Sequence, residues 1–386
     1  MEDRIGIITL YHENYNFGGL LQAYALPKAL TDYFGVYAEQ IDYVPAKMGN
    51  VQQRRQINGL WRSVYQLVYR CGIVFFASVN KRNLNRRKRM FDHFIDEIPH
   101  SGKVYDFDTL MHSQSEYNIL ICGGDQIWND YGEKKNIRIY SLQFSPGAKK
   151  IAYAPSMAIL EHSDAYDTIM RSGFEAMDSI SVRERRSKAC LDQLTSKQIH
   201  VVVDPVLLLT QSAWNCFAAA QERKGKYIVC YLLGDSMAHR KAAEKLAGKL
   251  QLPILTFPHI SGNVVRKCDL FFGDIRDFSS GPREFVGLIR DAEFVITNSF
   301  HACVFSMIFQ TPFAVFERHK AGERENMNSR IYDFLEEYHL ERQLVTEDEL
   351  INMDRIPEVD YVYAHAHWEQ RREASLEYLK HALGKT

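Results

Sequence analysis

The chain of 386 residues is long enough for two ordinary domains, each with its own hydrophobic core. Hydrophobic residues make up 46% and charged residues 25%, which is typical of globular proteins and excludes a disordered chain, a collagen and a coiled coil. The net charge of −1 hides an uneven distribution, because residues 43–91 contain eleven Lys and Arg and no Asp or Glu.

Short apolar runs alternate with helical patterns along the chain, which predicts a parallel α/β architecture. The elements predicted in the first half are a strand at 4–10, a helix at 18–34 and strands at 118–122, 150–154, 179–183 and 200–203. The second half predicts strands at 227–233, 253–257, 293–297 and 312–316, and helices at 237–250, 282–291 and 299–309.

The pair Asp204-Pro205 interrupts this alternation, so a domain junction is placed shortly after it. We predict two Rossmann-like parallel-sheet domains that face each other across a cleft. The first covers 1–208 with a basic amphipathic insertion at 43–91, the second covers 209–340, and a helical tail at 341–386 packs over the outside. Ligands are expected in the cleft, where the carboxyl ends of the strands meet.

The cysteines and termini favour a cytoplasmic protein. Seven cysteines are scattered without a C-x-x-C pair, as in a reducing compartment. The acidic start of the chain does not resemble a signal peptide. The longest nearly uncharged apolar stretch, 71–79, is far shorter than the roughly 20 residues of a membrane-spanning helix. His365 and His367 lack partners at ligand spacing, so no metal site is predicted.

Five motifs occur in a fixed order along the chain. They are NFGGLLQ at 16–22, GGDQIW at 123–128, SVRE at 181–184, VDP at 203–205 and ITNSFHA at 296–302. In this order and at these separations they resemble the polysaccharide pyruvyl transferase family. The resemblance extends from the first strand to about residue 340 and leaves out mainly the basic insertion.

This resemblance implies a fold like that of the two-domain GT-B glycosyltransferases and phosphoenolpyruvate as donor substrate, with no other cofactor. It implies transfer of the enolpyruvyl group to a sugar as a ketal, in capsular or exopolysaccharide biosynthesis. In that family an Arg in the SVR segment and a His at the start of a late helix serve the donor. These positions correspond to Arg183 and His301, with Asn298 and Ser299 adjoining. The acceptors are galactose-like or N-acetylhexosamine sugars, often on a lipid carrier.

The chain departs from the family at one donor position. Many members have an Arg two residues before the His, where this chain has Ser299. Another cation must then serve the donor, or the donor is different. The candidate replacements are Lys267, Arg276, Arg318, Lys320 and Arg324, of which the 318–324 loop is nearest in topology.

The chemistry explains these residue types. Ketal formation needs proton transfer near neutral pH, which suits His301, and the helix start beside it favours a phosphate. The planar guanidinium of Arg183 matches a carboxylate or a phosphate. Two alternatives stay open: a half-buried structural histidine at 301, and a salt bridge between Arg183 and Glu184 or another neighbour.

A second set of residues is predicted to bind the acceptor sugar. Glycines after strands let a ligand approach the backbone, polar side chains bind hydroxyl groups, and an indole stacks on a sugar ring. The set is Asn16, Gly18, Gly19, Gln22, Gly124, Asp125, Gln126 and Trp128.

The basic segment combines cations with aromatic and apolar residues at helical spacing, as interfacial membrane helices do. It predicts peripheral contact with the inner membrane face through Trp61, Arg62, Arg70, Arg86 and Arg87. The alternative is a helix pair packed on the domain with a solvated basic face. No base-reading motif accompanies the charge, so nucleic acid is not the predicted partner.

Two other functions remain open. One is a nucleotide-sugar-dependent GT-B glycosyltransferase, because a fold does not fix a function. The other is a non-catalytic glycan-binding component of polysaccharide assembly, which the absence of the family Arg at position 299 favours.

Overall fold

The structure is a computed structural model that describes residues 4–12, 14–46, 80–113, 116–130, 133–157, 160–220, 225–261, 264–319 and 328–385. Several predicted site residues lie outside these ranges. They are Trp61, Arg62, Arg70, Lys320 and Arg324.

The first half of the chain forms a seven-stranded parallel sheet in the order β3-β2-β1-β4-β5-β6-β7. The central pairing aligns Ile5 of β1 with Ile119 of β4, and Ile8 with Cys122. Buried aliphatic residues fill these central strands, as expected of a parallel sheet covered on both faces. The strands are β1 (Ile5–Ile8), β2 (Ala38–Tyr43), β3 (His100–Tyr105), β4 (Ile119–Gly123), β5 (Lys149–Tyr153), β6 (Ser179–Val182) and β7 (Ile199–Val201).

The second half forms a five-stranded parallel sheet in the order β12-β9-β8-β13-β14, beside a two-stranded antiparallel ribbon of β10 and β11. The domain boundary predicted at 208 falls between the last strand of the first sheet and the first strand of the second. The strands are β8 (Ile228–Tyr231), β9 (Ile254–Thr256), β10 (Ile260–Ser261), β11 (Val264–Val265), β12 (Ile275–Arg276), β13 (Phe294–Thr297) and β14 (Phe313–Val315).

Helices cover these sheets, so the predicted α/β class with two parallel sheets is confirmed. In the first half they are α1 (Phe17–Phe34), α2 (residues 80–97), α3 (Phe107–Met111), α4 (Lys134–Tyr140), α5 (Asp164–Ala176) and α6 (Arg185–Leu191). Those that follow are α7 (Gln211–Phe217), α8 (Met237–Leu250), α9 (Pro282–Arg290), α10 (Phe300–Phe309), α11 (Ser329–Glu337), α12 (Glu347–Ile351) and α13 (Val362–Leu383).

Helix α1 starts and ends where its sequence dictates. The side chain of Asn16 caps it by accepting a hydrogen bond from the backbone N–H of Gly19, and Gly35 ends it in the left-handed conformation with φ 65°. Pro27 lies inside the helix and has no N–H for the carbonyl of Ala23. The buried amide of Gln40 on β2 donates to that carbonyl instead, at 2.8 Å. The helix therefore continues past the proline.

The C-terminal helix α13 joins the two halves. Trp368 is 1% exposed and its indole N–H donates to the carbonyl of Leu207. Nearer its start, Tyr361 donates to the carbonyl of Thr311, and near its end Tyr378 donates to Ala152 on β5. The buried face of the tail supplies part of the hydrophobic core that the two halves share.

Candidate active site

Two helix N-termini, one from each half, meet at His301. Helix α10 follows β13 directly, and His301 lies in its first turn. Gly18 lies in the first turn of α1, and a Cβ atom built on it would be 2.1 Å from Nδ1 of His301. Only glycine allows this approach, because real Cβ atoms do not come closer than about 3 Å to such an atom. The free N–H groups of both first turns favour negative charge here.

The imidazole of His301 is enclosed beside a carboxylate. Its side chain is 6% exposed, and Nε2 lies 3.7 Å from Oδ2 of Asp204. Within the described ranges Nε2 has no hydrogen-bond partner. Asp204 is completely enclosed, and its Oδ1 accepts the backbone N–H of Val206. Burial opposes its charge, but Arg183 and His301 outweigh burial and lower the pKa of Asp204.

Three carboxylates bind the guanidinium of Arg183. Its Nε donates to Glu184 at 3.1 Å, and its two terminal nitrogens donate to Asp204 and to Asp125. The ring of Phe300 covers the guanidinium, and Cζ of Arg183 lies 4.3 Å from the ring centroid. Burial opposes the charge of Arg183, but the carboxylates outweigh burial and raise its pKa. All three guanidinium nitrogens are thus engaged, and the side chain is 3% exposed.

This geometry corrects the prediction that Arg183 clamps the donor directly. The salt-bridge alternative describes its contacts, but the partners belong to the site: Asp204 also faces His301, and Asp125 also binds Arg330. We call Arg183, Glu184, Asp204, Asp125 and Arg330 the buried ion network.

Asp125 connects this network to the cleft. Its Oδ1 accepts hydrogen bonds from Arg183 at 3.0 Å and from Arg330 at 2.5 Å. Burial opposes its charge, but Arg330 and then Arg183 hold the pKa of Asp125 well below its usual value. Asp125 thereby fixes Arg330, which comes from α11 in the C-terminal part of the chain.

A cluster of arginines with few counter-ions adjoins this network and shares Arg330 with it. We call Arg87, Arg266, Arg318 and Arg330 the arginine cluster. Burial lowers the pKa of Arg318, and its like-charged neighbours Arg330 and Arg266 lower it further, with Tyr231 acting in the opposite direction. Among the described residues, no carboxylate lies within salt-bridge distance of Arg318 or Arg87. Among the carboxylates that the structure describes, Arg266 pairs with the exposed Asp235 alone, at 3.6 Å. Cations arranged this way favour an anionic ligand.

Tyr231 and His259 experience the same positive field. Burial raises the pKa of Tyr231 to about 12, although Arg87, Arg318 and Arg266 each act to lower it. Burial and then the charge of Arg266 lower the pKa of His259. Both residues follow or end strands of the second sheet, so the arginine cluster lies at the carboxyl edge where ligands bind in such folds.

The other predicted donor residues have different environments. The amide of Asn298 accepts from the N–H of Leu233 and donates to its carbonyl, so both of its groups are occupied in the loop. Its prediction as a donor ligand is therefore corrected to a structural role. Ser299 is the N-cap residue of α10, but its side chain makes no capping hydrogen bond. Lys267 is exposed in a short 3-10 turn, Lys267–Asp269.

The glycine and amide residues predicted for the acceptor come together at the ends of β1 and β4. Gln22 is 2% exposed, and its amide donates to Thr9 and to the carbonyl of Gly19. Gly124 has φ 107°, and a Cβ atom there would be 2.2 Å from the Gln22 side chain. Gln22 therefore supports the loop and is not available to a sugar hydroxyl, which corrects that prediction. Asn16 is exposed and caps α1, whereas Gly19 packs on Asn14.

Trp128 does not face the cleft. Its side chain is 0% exposed, its indole N–H donates to the carbonyl of Tyr140, and its ring packs edge-on against Phe174. The prediction that it stacks on a sugar is therefore wrong, because neither ring face is accessible. Gln126 is half-buried, with a left-handed backbone (φ 59°), in the turn that presents Asp125.

The two described arginines of the basic segment that were predicted to contact the membrane lie in different environments. Arg86 is exposed on α2. Arg87 points inward: it donates to the carbonyl of Pro258 at 3.2 Å, and its guanidinium lies over Phe17. Its prediction as a membrane contact is therefore wrong. None of the helices in the described ranges is long and apolar enough to cross a bilayer.

Sequence reasoning missed the roles of Asp204, Arg330 and Arg266. Asp204 belongs to the VDP motif at 203–205, one of the five on which the resemblance rests. Its position in the sequence predicted only a domain junction. Arg330 and Arg266 lie outside every motif, and only the folded chain brings them together. Within the described residues, no group of three or more His, Cys, Asp or Glu side chains is placed to hold a metal ion.

Solved structures share this two-sheet architecture. A protein from Listeria monocytogenes assigned as a UDP-N-acetylglucosamine 2-epimerase is 10% identical, with 95% of this chain and 94% of that one covered and a TM-score of 0.52. The UDP-GlcNAc 2-epimerase from Neisseria meningitidis, bound to UDP-GlcNAc, is 12% identical, with 98% of this chain and 99% of that one covered and a TM-score of 0.48. An alpha-glucosyltransferase in complex with UDP is 8% identical, with 98% of this chain and 95% of that one covered and a TM-score of 0.46. At 10% identity the likeness to the Listeria protein concerns the fold alone, and it confirms the GT-B-like fold.

Sequence comparison identifies the family. No curated protein sequence matches the chain significantly. The family model described as polysaccharide pyruvyl transferase matches residues 16–320, which include all five motifs and most of the chain. The chain belongs to the polysaccharide pyruvyl transferase family.

Proposed function

We propose that the protein transfers the enolpyruvyl group of phosphoenolpyruvate to a sugar and closes it as a pyruvate ketal. One observation carries the proposal: the buried His301 lies beside Asp204 of the buried ion network, and this network adjoins the arginine cluster, in which Arg87 and Arg318 have no carboxylate partner among the described residues. This combination offers a proton-transfer group beside a site for a small polyanion. By family analogy the acceptor is a galactose-like or N-acetylhexosamine sugar on a lipid carrier, used in capsule or exopolysaccharide synthesis at the inner membrane face.

The charge of the arginine cluster matches phosphoenolpyruvate. This donor carries a carboxylate and a phosphate on one small molecule, so it needs at least two cationic or amide contacts. Arg318 and Arg266 supply guanidinium groups from the second half, and the N-terminus of α10 supplies backbone N–H groups. We assign to Arg318 the contact that the family Arg makes at the position of Ser299.

The buried ion network places a carboxylate beside His301, the proposed proton-transfer group. The network contains three carboxylates and two guanidinium groups. Asp204 lies next to the imidazole and is itself fixed by Arg183 and by the N–H of Val206. Asp204 then orients His301, as carboxylates do beside catalytic histidines.

The reaction proceeds in two stages. His301 donates its proton to the methylene carbon of the donor, which leaves a cationic carbon that a sugar hydroxyl attacks while losing its own proton to the imidazole. A second hydroxyl of the same sugar then forms a bond to this carbon as the carbon–oxygen bond to phosphate breaks, and the proton of that hydroxyl leaves with the phosphate, which closes the cyclic ketal. The near-complete enclosure of His301 excludes water, which would otherwise attack the cationic carbon. No cofactor besides the donor substrate is required.

The proposal is tested by titrating phosphoenolpyruvate into the wild type, Arg318→Ala and Arg171→Ala by calorimetry. Arg171 is an exposed arginine on α5 and serves as the matched control. We expect Arg318→Ala to weaken binding roughly ten- to a hundredfold, because it removes a charge-assisted contact of about 1.5–3 kcal/mol. Arg171→Ala should bind like the wild type.

Two results would contradict the proposal. One is equal affinity for phosphoenolpyruvate in all three proteins. The other is binding of UDP or UDP-sugars in place of phosphoenolpyruvate, which would indicate a nucleotide-sugar glycosyltransferase instead.

A further inference from the structure

A cavity of about 280 Å³ lies between the two halves of the chain, beside the first turn of α1. Its size is near the lower limit of small-molecule sites, which begin at about 300 Å³. The second half contributes the side chain of Ile260 on β10. The described lining residues are Tyr15, Leu84, Asn85, Arg87, Lys88, Phe91 and Ile260.

The cavity presents an aromatic ring surrounded by polar groups. The side chain of Tyr15 is 44% exposed, and its hydroxyl donates to Asp92 at 3.0 Å. The ammonium of Lys88 lies 5.7 Å from the Tyr15 ring centroid and also binds Asp92. Phe91, 1% exposed, supports the ring from the interior at a centroid distance of 5.8 Å. The ring is therefore firmly positioned while much of it stays accessible.

Arg87 connects this cavity to the candidate active site. It lines the cavity, and its guanidinium lies over the ring of Phe17, the residue that precedes Gly18. Its charge also acts on Tyr231, together with the charge of Arg318. A ligand in the cavity would therefore lie next to a donor bound by the arginine cluster.

We propose that this cavity binds the acceptor saccharide, with a pyranose ring packed on Tyr15. The C–H groups on one face of a pyranose pack on an aromatic ring, and its hydroxyl groups need donors and acceptors at the ring edge. Asn85, Lys88 and Asp92 provide such groups around Tyr15. Tyr15 takes the role that the enclosed Trp128 cannot fill. This inference rests on the proposed function, because it names the site of the second substrate.

The experiment measures saturation-transfer NMR from the protein to methyl galactoside and methyl N-acetylglucosaminide. It compares the wild type with Tyr15→Ala, Tyr15→Phe and Tyr37→Ala. Tyr37 is the matched control, since it is a 61% exposed tyrosine that also donates to a carboxylate, Glu39, but precedes the amino end of β2. We expect affinity for at least one glycoside to fall roughly two- to tenfold in Tyr15→Ala. Tyr15→Phe keeps the ring and should retain binding, as should Tyr37→Ala.

Phosphoenolpyruvate titrations of the same proteins separate this inference from the proposed function. Equal donor affinity in all four proteins, together with the loss of glycoside binding in Tyr15→Ala alone, supports an acceptor site. Glycoside binding that is indifferent to Tyr15, or absent from the wild type, overturns the acceptor site and leaves the donor assignment intact. Failure of the wild type to bind phosphoenolpyruvate overturns the proposed function, whatever the glycosides do.

Discussion

We expect His301→Gln to lose about two to four orders of magnitude in turnover, the contribution of positioned acid–base catalysis. Glutamine fills much of the space of the imidazole and can still form hydrogen bonds, but it cannot transfer a proton near neutral pH. The donor should still bind, because the arginine cluster is unchanged. The measurement is phosphate release from phosphoenolpyruvate under saturating donor and acceptor, beside a donor titration of the same variant.

The control for this variant is His381→Gln, which changes an exposed histidine on α13. It should leave turnover as in the wild type. Unchanged turnover in His301→Gln would contradict a catalytic histidine. Absence of turnover in the wild type itself would favour a glycan-binding component of polysaccharide assembly over an enzyme.

Gly18→Ala changes a residue in the first half of the protein, and we expect it to lower turnover by a similar factor. The added methyl group would be 2.1 Å from Nδ1 of His301, so α1 and α10 must move apart or the imidazole must rotate. Such overpacking costs about 1–3 kcal/mol of stability. A displacement of about 1 Å at a reacting group costs on the order of a hundredfold in rate. We therefore expect a lower thermal midpoint together with a loss of turnover of at least that order.

Gly248→Ala provides the comparison for this variant. Gly248 lies in α8, where an added Cβ meets no atom within 4 Å. That substitution should leave turnover unchanged and stabilise the protein by about 0.4–1 kcal/mol, because alanine restricts the unfolded chain more than glycine does. If Gly18→Ala behaved like Gly248→Ala, the close contact between α1 and His301 would not exist in solution.

Much of the fold could be predicted because buried parallel strands form apolar runs. The strands at the centres of both sheets, such as β4 and β13, consist mainly of apolar residues between clear turn signals. Strand β2 was not predicted, because its sequence AEQIDY does not alternate and includes buried polar residues. Its Gln40 donates to the carbonyl that Pro27 leaves free, and its Asp42 accepts from Tyr11. Those partners are distant in sequence, so the local pattern could not reveal them.

The site was only partly predictable for the same reason. His301 and the glycine at 18 lie in motifs, and the structure brings them into contact. The motif at Arg183 pointed to the correct place but suggested a direct role with the donor, because the sequence does not reveal that three carboxylates surround it. Arg330 could not be assigned at all, since its position depends on how α11 packs against α6, which is distant in sequence.

The central claim is the transfer of an enolpyruvyl group from phosphoenolpyruvate to a sugar. The most direct measurement incubates the wild-type protein with carbon-13-labelled phosphoenolpyruvate and a panel of galactosides and N-acetylhexosaminides, and follows phosphate release and the mass of the sugars. We expect one sugar to gain the mass of labelled pyruvate minus one water, with one phosphate released for each sugar modified. Release of phosphate without label on any sugar, or transfer from a nucleotide sugar with phosphoenolpyruvate untouched, would contradict the account.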